Sequence, residues 1–293
     1  MELSDVESHL RHLLGEPRAA QAGEAASFDD GAPFHIEIPS VEGPQALASV
    51  LEEAKQLGVI VHRVSQGSGI ALLREAEVAE MAAIGAEHHV EVVLWAGLRA
   101  SWEVSAMARS SSGASSGATV RGEVGLRAAL EEAMRAAEAG IDGVLVSDLG
   151  VLRLLGRAKS ANVLPASFVL KTSLALPCPN PETARAYVAA GATTLNLPTD
   201  LPLEDIAAIR RAVDVPLDCY VEAPDDFAGT LRYHELPELV HAAAPVHLKF
   251  GIRNAAGIYP SGGHLAPTVL AMSKERVRRA AIALEALARA KLA

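Results

Sequence analysis

The sequence predicts a single (β/α)8 barrel of the TIM type, and three observations predict it. Eight short runs of β-branched and aliphatic residues alternate with segments of helical periodicity along the 293-residue chain. Several helical segments end in a glycine that leads directly into the next run, which is the usual helix-to-strand connection. Strict alternation also favours right-handed βαβ units, and eight such units close a parallel barrel. The competing architecture, an open doubly wound sheet, is disfavoured because Pro39–Gly43 is not its glycine fingerprint.

The alternation fixes each expected element in chain order. The expected strands are Phe34–Pro39, Val59–Ser65, Glu91–Gly97, Gly143–Asp148, Ser167–Thr172, Thr194–Pro198, Pro216–Glu222 and Val246–Ile252. The clearest expected helices between them are Pro44–Leu57, Arg74–Ile84, Gly122–Ala139, Pro181–Ala190, Leu203–Val213 and Glu235–Ala244.

The regions outside the alternating units are short. We expect residues 1–30 to form a capping helix (Asp5–Leu14) and a polar connector (Glu16–Asp30) at the bottom of the barrel. Residues 31–293 form the barrel itself, and its last helix begins near residue 264 and packs against the rest. The Ser/Gly-rich segment Ser101–Arg121 is either a lid over the mouth or a plain mobile insertion.

The composition narrows the classes of partner. The net charge of −10 repels nucleic acid and anionic membrane surfaces, and no basic run offsets it. The N-terminus lacks a signal-peptide core, and no window is apolar enough to span a membrane. Two separate cysteines make neither a disulfide framework nor an iron–sulfur site. We therefore expect a cytoplasmic protein that binds a small anionic molecule, and the sequence leaves a homo-oligomer open.

Polar residues occupy the inward phase of the predicted strands near their C-terminal ends, where barrel enzymes carry their sites. A barrel that needed only packing would place Val, Ile or Leu there. Mixed charges at one mouth instead indicate a network around a polar ligand. The expected catalytic residues are Glu37, Lys171, Glu222 and Lys249. The expected substrate-binding residues are Arg63, Trp95, Asp148, Asn196, Tyr220, Arg253, Asn254, Ser261, Gly262 and Gly263.

Each group admits two interpretations. Lys171 and Lys249 act either as base or Schiff-base nucleophile, or as protonated partners of Glu37 or Glu222. The Ser261–Gly263 turn either cradles an anion beside Arg253 or is only a turn. Cys219 alternates with the inward residues and should face the helices, so it is a poor nucleophile.

No cofactor is required by the sequence, although a divalent metal is compatible with it. Side chains that offer ligands are His35, Glu37, Asp218, Glu222 and His247. Neither an HxH nor an HExxH spacing occurs, and His88 and His89 are expected at the surface.

Two C-terminal runs resemble a known family. Val215–Gly229 (VPLDCYVEAPDDFAG) and His247–Leu265 (HLKFGIRNAAGIYPSGGHL) resemble the barrel part of collagenase-like peptidases, peptidase family 32 of unknown catalytic type. LDCYVEAP resembles the family's E-x-F-V-H-G strand, with Glu222 near the position of the motif's histidine. The family's cysteine cluster and second domain are absent, so the resemblance does not imply proteolysis. It implies a barrel that handles a small or RNA-linked substrate as readily as a peptide, and the acidic charge argues against RNA.

Three functions follow from these residues. The first is an enzyme acting on a carboxylate- or phosphate-bearing metabolite by lyase or aldolase chemistry. In it, Glu37 or Glu222 serves as acid/base, the lysines stabilise developing negative charge, and Arg63 and Arg253 anchor the anion. The alternatives are a hydrolase, as the family label implies, and a non-catalytic ligand-binding barrel.

Overall fold

The computed structural model describes residue 13 and residues 26–102 and 106–290. Its strands are β1 Phe34–Pro39, β2 Arg63–Ser65, β3 Glu91–Trp95, β4 Gly143–Val146, β5 Val169–Thr172, β6 Leu195–Asn196, β7 Leu217–Glu222 and β8 Val246–Phe250. Its α-helices are α1 Pro44–Leu57, α2 Glu75–His88, α3 Ala106–Arg109, α4 Gly122–Glu138, α5 Leu149–Ser160, α6 Pro181–Ala189, α7 Leu203–Ala212, α8 Leu236–Ala243 and α9 Ala266–Ala290.

The eight strands form one parallel sheet in the order β5-β4-β3-β2-β1-β8-β7-β6. The two edges meet through a parallel bridge between Lys171 and Thr194. Across that seam the Thr193 amide donates to the Leu170 carbonyl at 2.9 Å and the Thr172 amide to the Thr194 carbonyl at 3.2 Å. The predicted (β/α)8 barrel is therefore confirmed, as a nearly closed ring with helices outside it.

The glycines expected between helices and strands take the conformations that those connections need. Gly58 ends α1 in the left-handed region at φ 67°, and Gly140 and Gly191 follow α4 and α6 at φ 89° and 112°. Residues with a Cβ rarely adopt such angles, so these glycines stop each helix and release the chain into the next strand.

Side chains alternate across the barrel wall. Outward residues such as Ile36, Ile38 and Leu248 join a continuous apolar layer beneath the helices, and Cys219 lies in this layer as expected. Inward residues of β3 and β4 form a separate small cluster of Val93, Trp95 and Leu145. The remaining inward positions are largely polar, and these form the candidate site.

Aromatic rings cover the N-terminal end of the barrel. Phe28 stacks on His35 with ring centroids 3.7 Å apart and meets His247 edge-on at 4.8 Å, while His35 stacks on His62 at 3.9 Å. Of the predicted cap, only the end of the connector is described here. The predicted helix Asp5–Leu14 lies outside the described residues except for residue 13.

The segment predicted as a lid or mobile insertion is ordered where it is described. It contains α3 and a short 3₁₀ helix, Ser111–Ser116, whereas residues 103–105 lie outside the described range. Ala118 packs against the inner apolar cluster, and its carbonyl accepts a hydrogen bond from Ser147 Oγ at 2.6 Å. These contacts place the segment against the C-terminal end of β4, and its role as a lid stays a prediction. None of the described helices is both long and apolar enough to cross a membrane.

Candidate active site

Lys171 occupies the centre of a buried charge cluster inside the barrel. Its ammonium donates to Glu37 Oε2 at 2.7 Å and also contacts Asp218 Oδ2. All three residues are fully buried, and they come from strands β5, β1 and β7. The barrel brings together residues 134 and 47 positions apart in the chain, which alternation along single strands does not reveal.

Lys249 lies on the other side of Glu37. Its Nζ is 3.4 Å from Glu37 Oε1 and 4.5 Å from the centre of the Tyr220 ring. Ser65 Oγ donates to the same Glu37 oxygen at 2.7 Å. This placement follows from the register, in which Glu37 is opposite Lys249 across β1–β8 and Tyr220 is opposite Lys249 across β7–β8.

Arg63 extends the cluster toward the N-terminal end. Its guanidinium contacts Glu91, lies 3.1 Å from Asp218 Oδ1 and lies 3.2 Å from His247 Nδ1. His247 Nδ1 is itself 2.9 Å from Asp218 Oδ1. Arg63 is thus engaged with protein partners, and its predicted role as a substrate anchor stays a prediction.

The cluster balances its charges. Arg63, Lys171 and Lys249 face the carboxylates of Glu37, Asp218 and Glu91, while burial together with the Arg63 charge lowers the pKa of His247 to about 4 and keeps it neutral. Such pairing is what makes buried charges tolerable.

The carboxylates of the cluster stay ionised at neutral pH. Burial alone would raise the pKa of Glu37, but Lys171 and Lys249 outweigh it and hold that pKa at about 2. For Asp218 burial is again opposed, chiefly by Lys171, and its pKa lies well below the ordinary value. Burial lowers the pKa of Lys171 against the opposing effect of both carboxylates. Glu37 is therefore a carboxylate at rest and not a proton donor.

Glu222 does not join this cluster, contrary to its predicted catalytic role. A register shift between Tyr220 and Glu222 pairs Glu222 with the outward residue Phe250. Its carboxylate accepts from Tyr233 Oη at 2.9 Å and from the Arg253 amide at 3.0 Å, and it lies 3.5 Å from Arg279 of α9. The bulge reverses the alternation, so the side chain points toward the helices.

Other predicted binding residues serve local structure. Arg253 Nε lies 2.7 Å from Asp225 Oδ1, and Asp225 also accepts the Asn254 amide, so both predicted ligand contacts belong to a surface loop. Asp148 caps α5 by accepting the Val151 amide at 3.0 Å, which corrects its predicted role as a substrate contact.

Trp95, Tyr220 and Asn196 remain candidates for contact with a ligand. Trp95 lies under the guanidinium of Arg99 at 3.7 Å, and Tyr220 lies under Lys249. Asn196 is 2% exposed, and its side-chain oxygen has no hydrogen-bond partner among the described residues. A buried acceptor without a partner is uncommon and is suited to a ligand that donates a hydrogen bond.

The Ser261–Gly263 turn lies apart from the lysines. It lines a cleft of about 140 Å³ between the N-terminal ends of α1 and α9, together with Glu42, Gln66 and Ser68. The Ser261 amide donates to Ser68 Oγ at 2.8 Å. Arg253 does not line this cleft, and its guanidinium donates to Asp225 and to the Gly229 carbonyl.

Candidate metal ligands lie at the opposite end of the barrel. Ligand atoms of Asp30, His35 and His62 lie within 4.8 Å of one another. His62 Nδ1 also accepts the Ile36 amide at 3.1 Å, and His35 Nε2 lies 3.0 Å from Asp30 Oδ2, so these side chains have protein partners as well. Of the predicted ligands, Glu37 and Asp218 hold Lys171 between them, which places an ammonium where a cation would bind.

Comparison with known proteins gives a family match for part of the chain. The sequence profile of Peptidase family U32 matches residues 119–223, from the segment before α4 to the end of β7. Over this segment the chain resembles peptidase family U32. The predicted resemblance is thus confirmed, although only the first part of Val215–Gly229 falls within the matched residues and His247–Leu265 does not. No curated protein matches the chain.

Similar solved structures share the barrel at low sequence identity. A putative fructose-1,6-biphosphate aldolase from Coccidioides immitis is 14% identical with a TM-score of 0.55, covering 89% of this chain and 93% of that one. The YdjI aldolase from Escherichia coli K12 is 14% identical with a TM-score of 0.50, covering 86% and 91%. The U32 peptidase Mk0906 is 18% identical with a TM-score of 0.42, covering 64% and 69%. These likenesses concern the fold.

Proposed function

We propose that the protein is an enzyme that acts on a small carbonyl compound bearing a carboxylate or phosphate, by lysine and carboxylate chemistry of the lyase or aldolase type. The observation that carries the proposal is the pair of buried lysines on either side of Glu37, inside the barrel. Burying Arg63, Lys171 and Lys249 costs more free energy than packing apolar side chains at the same positions, which favours a chemical role for them.

The two lysines differ in their contacts, and the difference indicates a separate role for each. Lys249 has one carboxylate oxygen at 3.4 Å and lies over an aromatic ring, so its amine is the freer of the two. Lys171 is held by two carboxylates, and burial lowers its pKa. We assign Lys249 as the nucleophile and Lys171 as the group that gives and takes back a proton.

The proposed reaction passes through a Schiff base on Lys249. Lys249 first gives up a proton to solvent, and its neutral amine adds to the substrate carbonyl; Lys171 protonates the oxygen, and water leaves to give an iminium. The iminium accepts the electron pair of the breaking C–C bond, while the substrate hydroxyl loses its proton to neutral Lys171 and an aldehyde departs. Lys171 then protonates the enamine carbon, and water adds to the resulting iminium. Collapse of that adduct releases the second product and the free amine of Lys249, and the remaining proton returns to Lys171. Glu37 and Asp218, which stay ionised, stabilise the cationic iminium.

Borohydride trapping tests this assignment. The protein is incubated with pyruvate or with dihydroxyacetone phosphate, treated with sodium borohydride, digested and examined by mass spectrometry. We expect a reduced adduct on Lys249, and we expect Lys249→Met to abolish it. Lys171→Met should leave Lys249 modified but slow adduct formation by about 10²–10⁴, the usual contribution of a proton-transfer group.

Lys274→Met is the matched control, because Lys274 is a partly exposed lysine of α9 near Glu52 and Glu53. Its adduct yield should equal that of the unaltered protein. Absence of an adduct on both Lys171 and Lys249 with either carbonyl probe overturns the Schiff-base proposal.

A hydrolase is the second candidate, because the Peptidase family U32 profile matches residues 119–223. Hydrolysis does not need a lysine nucleophile. Turnover of a peptide mixture that survives Lys249→Met would favour this candidate, whereas no turnover of peptides by the unaltered protein would count against it.

A further inference from the structure

Arg276 of α9 is a buried cation that forms no ion pair with a carboxylate among the described residues. It is 3% exposed, its Nη1 makes one long hydrogen bond of 3.4 Å to the Ser40 carbonyl, and its Nε has no partner among the described residues. A guanidinium stays charged in proteins, and an unpaired buried charge is costly. An anionic ligand that binds there would supply the missing partner.

Arg99, which is half-buried, is a second arginine that forms no ion pair among the described residues. Its guanidinium lies between the rings of Trp95 at 3.7 Å and Trp102 at 4.4 Å, and its Nη2 donates to the Gly67 carbonyl. Its Nε is buried and has no hydrogen-bond partner in the described part of the chain. Stacking fixes the plane of the group while leaving hydrogen-bond donors available.

The two guanidinium groups approach the same tyrosine. Arg99 Cζ lies 5.6 Å from the centre of the Tyr259 ring, and the Tyr259 hydroxyl bonds to Ser40 Oγ. Ser40 is also the residue whose carbonyl accepts Arg276. Tyr259 and Glu42 are the ionisable groups that face both arginines, and Tyr220 also faces Arg276.

Glu42 is a weak counter-ion for either arginine. Its two oxygens accept the Gly67 amide at 2.8 Å and the Ser68 amide at 3.0 Å. Burial raises its pKa, against the opposing effect of these hydrogen bonds. The positive charge around Tyr259 is thus poorly neutralised by the described residues.

We propose that Arg276 and Arg99 form an oxyanion subsite beside Tyr259, which binds the carboxylate or phosphate of a small ligand. The subsite adjoins the reacting lysine, because Ser40, whose carbonyl accepts Arg276, directly follows β1, and Glu37 of that strand lies 3.4 Å from Lys249 Nζ. A substrate held by its anion there would present its carbonyl to Lys249; this part rests on the proposed function. Arg63 and Arg253, the arginines expected from the sequence, are bound to carboxylates elsewhere.

Titration calorimetry of the whole protein with inorganic phosphate, and separately with succinate, tests the subsite without any turnover. We expect Arg276→Gln and Arg99→Gln each to weaken binding about tenfold or more, since a lost hydrogen bond to a charged group costs at least that. The stronger of the two probes identifies the anion class. Arg278→Gln is the matched control on α9, where Arg278 is exposed and paired with Glu275, and it should bind as the unaltered protein does.

The main rival explanation is that Arg276 only balances Glu42. In that case the Arg276→Gln variant binds phosphate normally, and adding Glu42→Gln to it restores the stability that it lost. That result overturns the proposal. If the subsite is real, Glu42→Gln instead tightens phosphate binding, because it removes a repelling carboxylate. Equal loss of binding in Arg278→Gln would also overturn the proposal, since it would indicate unspecific surface attraction.

Two variants keep the test decisive if Arg276→Gln fails to fold. Arg276→Lys keeps the charge in α9 and should bind phosphate with intermediate strength, and Arg99→Gln alters a loop residue instead of a helix. The outcome is separable from the lyase proposal. Phosphate binding that depends on Arg276, without any borohydride adduct, would support the subsite and contradict the lyase proposal. A borohydride adduct without phosphate binding that depends on Arg276 would support the lyase proposal and contradict the subsite.

Discussion

Asp218 contacts as many side chains of the buried cluster as Glu37 does, although it was not among the expected catalytic residues. Its two oxygens meet Lys171, Arg63, Thr194 and His247. Asp218→Asn keeps the shape but removes the charge, leaving cations without compensation. We expect it to lower the free energy of unfolding by about 3–5 kcal/mol, as for other broken buried pairs, measured by urea denaturation.

Asp200→Asn is the matched control for this change, because Asp200 is exposed. It should shift stability by no more than about 0.5 kcal/mol. Similar effects of the two substitutions would mean that the Asp218 contacts contribute little.

Alternation along a strand was enough to place Glu37, Lys171 and Lys249 in the interior, because the side-chain period of a strand is two. It also placed Asp218 there, but not its central role, which depends on contacts across the barrel. Glu222 was misplaced because a bulge leaves no mark in the pattern of apolar residues. Arg99 and Arg276 come from a loop and a helix, where strand alternation gives no information.

Among the helices, α5 depends on a glycine for its close approach to the next unit. A Cβ at Gly156 would lie 2.2 Å from the Ala190 carbonyl oxygen and 3.2 Å from Gly191 Cα. Alanine favours a helix over glycine by about 1 kcal/mol, so helix propensity alone predicts that Gly156→Ala stabilises the protein. The clash with backbone should instead destabilise it by about 1–3 kcal/mol, measured as a fall in the midpoint of urea unfolding.

Gly257→Ala serves as the comparison, since a Cβ at Gly257 meets nothing within 4 Å and its φ is not in the left-handed region. It should leave the midpoint nearly unchanged. A rise in stability for Gly156→Ala would show that α5 and α6 can separate without cost.

Element boundaries followed the sequence most closely where glycine or proline marks them. α1 begins at Pro44 and ends before Gly58, as expected. The strands were predicted less well, and β2 begins at Arg63 instead of Val59. An apolar run shows that a segment is extended and buried, whereas the length of a strand depends on where its neighbours stand in register.

The pH dependence of stability belongs to the molecule as a whole. Burial lowers the pKa of both His247 and His62 to about 4, from an ordinary value of 6.5. The unfolded chain therefore takes up protons first, and stability should fall as the pH drops from about 6.5 to about 4. Glu37 has a pKa of about 2 against an ordinary 4.5, so its contribution persists at neutral pH and is lost as the pH falls further.

Urea midpoints measured across this pH range should accordingly decline in two stages. His247→Gln should reduce the upper stage, to which His62 still contributes, and leave the lower one in place. A profile that is flat down to about pH 4.5 would contradict the assignment of neutral buried histidines.

The architecture itself was predictable because it depends on counting, with eight apolar runs alternating with helical segments. The sequence also indicated which strands carry charged side chains, because polar residues interrupt their apolar runs. The way the ring closes was not predictable, since β6 spans only two residues and meets β5 through one bridge.

The sparse pairing between β5 and β6 has a consequence for how the barrel is held together. β8 and β1 are paired at four register positions, but no single loop or helix connects them, because β1 is the first strand and β8 is the last. Between β5 and β6 the ladder is sparse, but the polypeptide runs through α6 and ties the two edges covalently. A circular permutant whose new termini lie in the α6 region would lose this covalent connection at the junction where the two strands are paired by a single bridge.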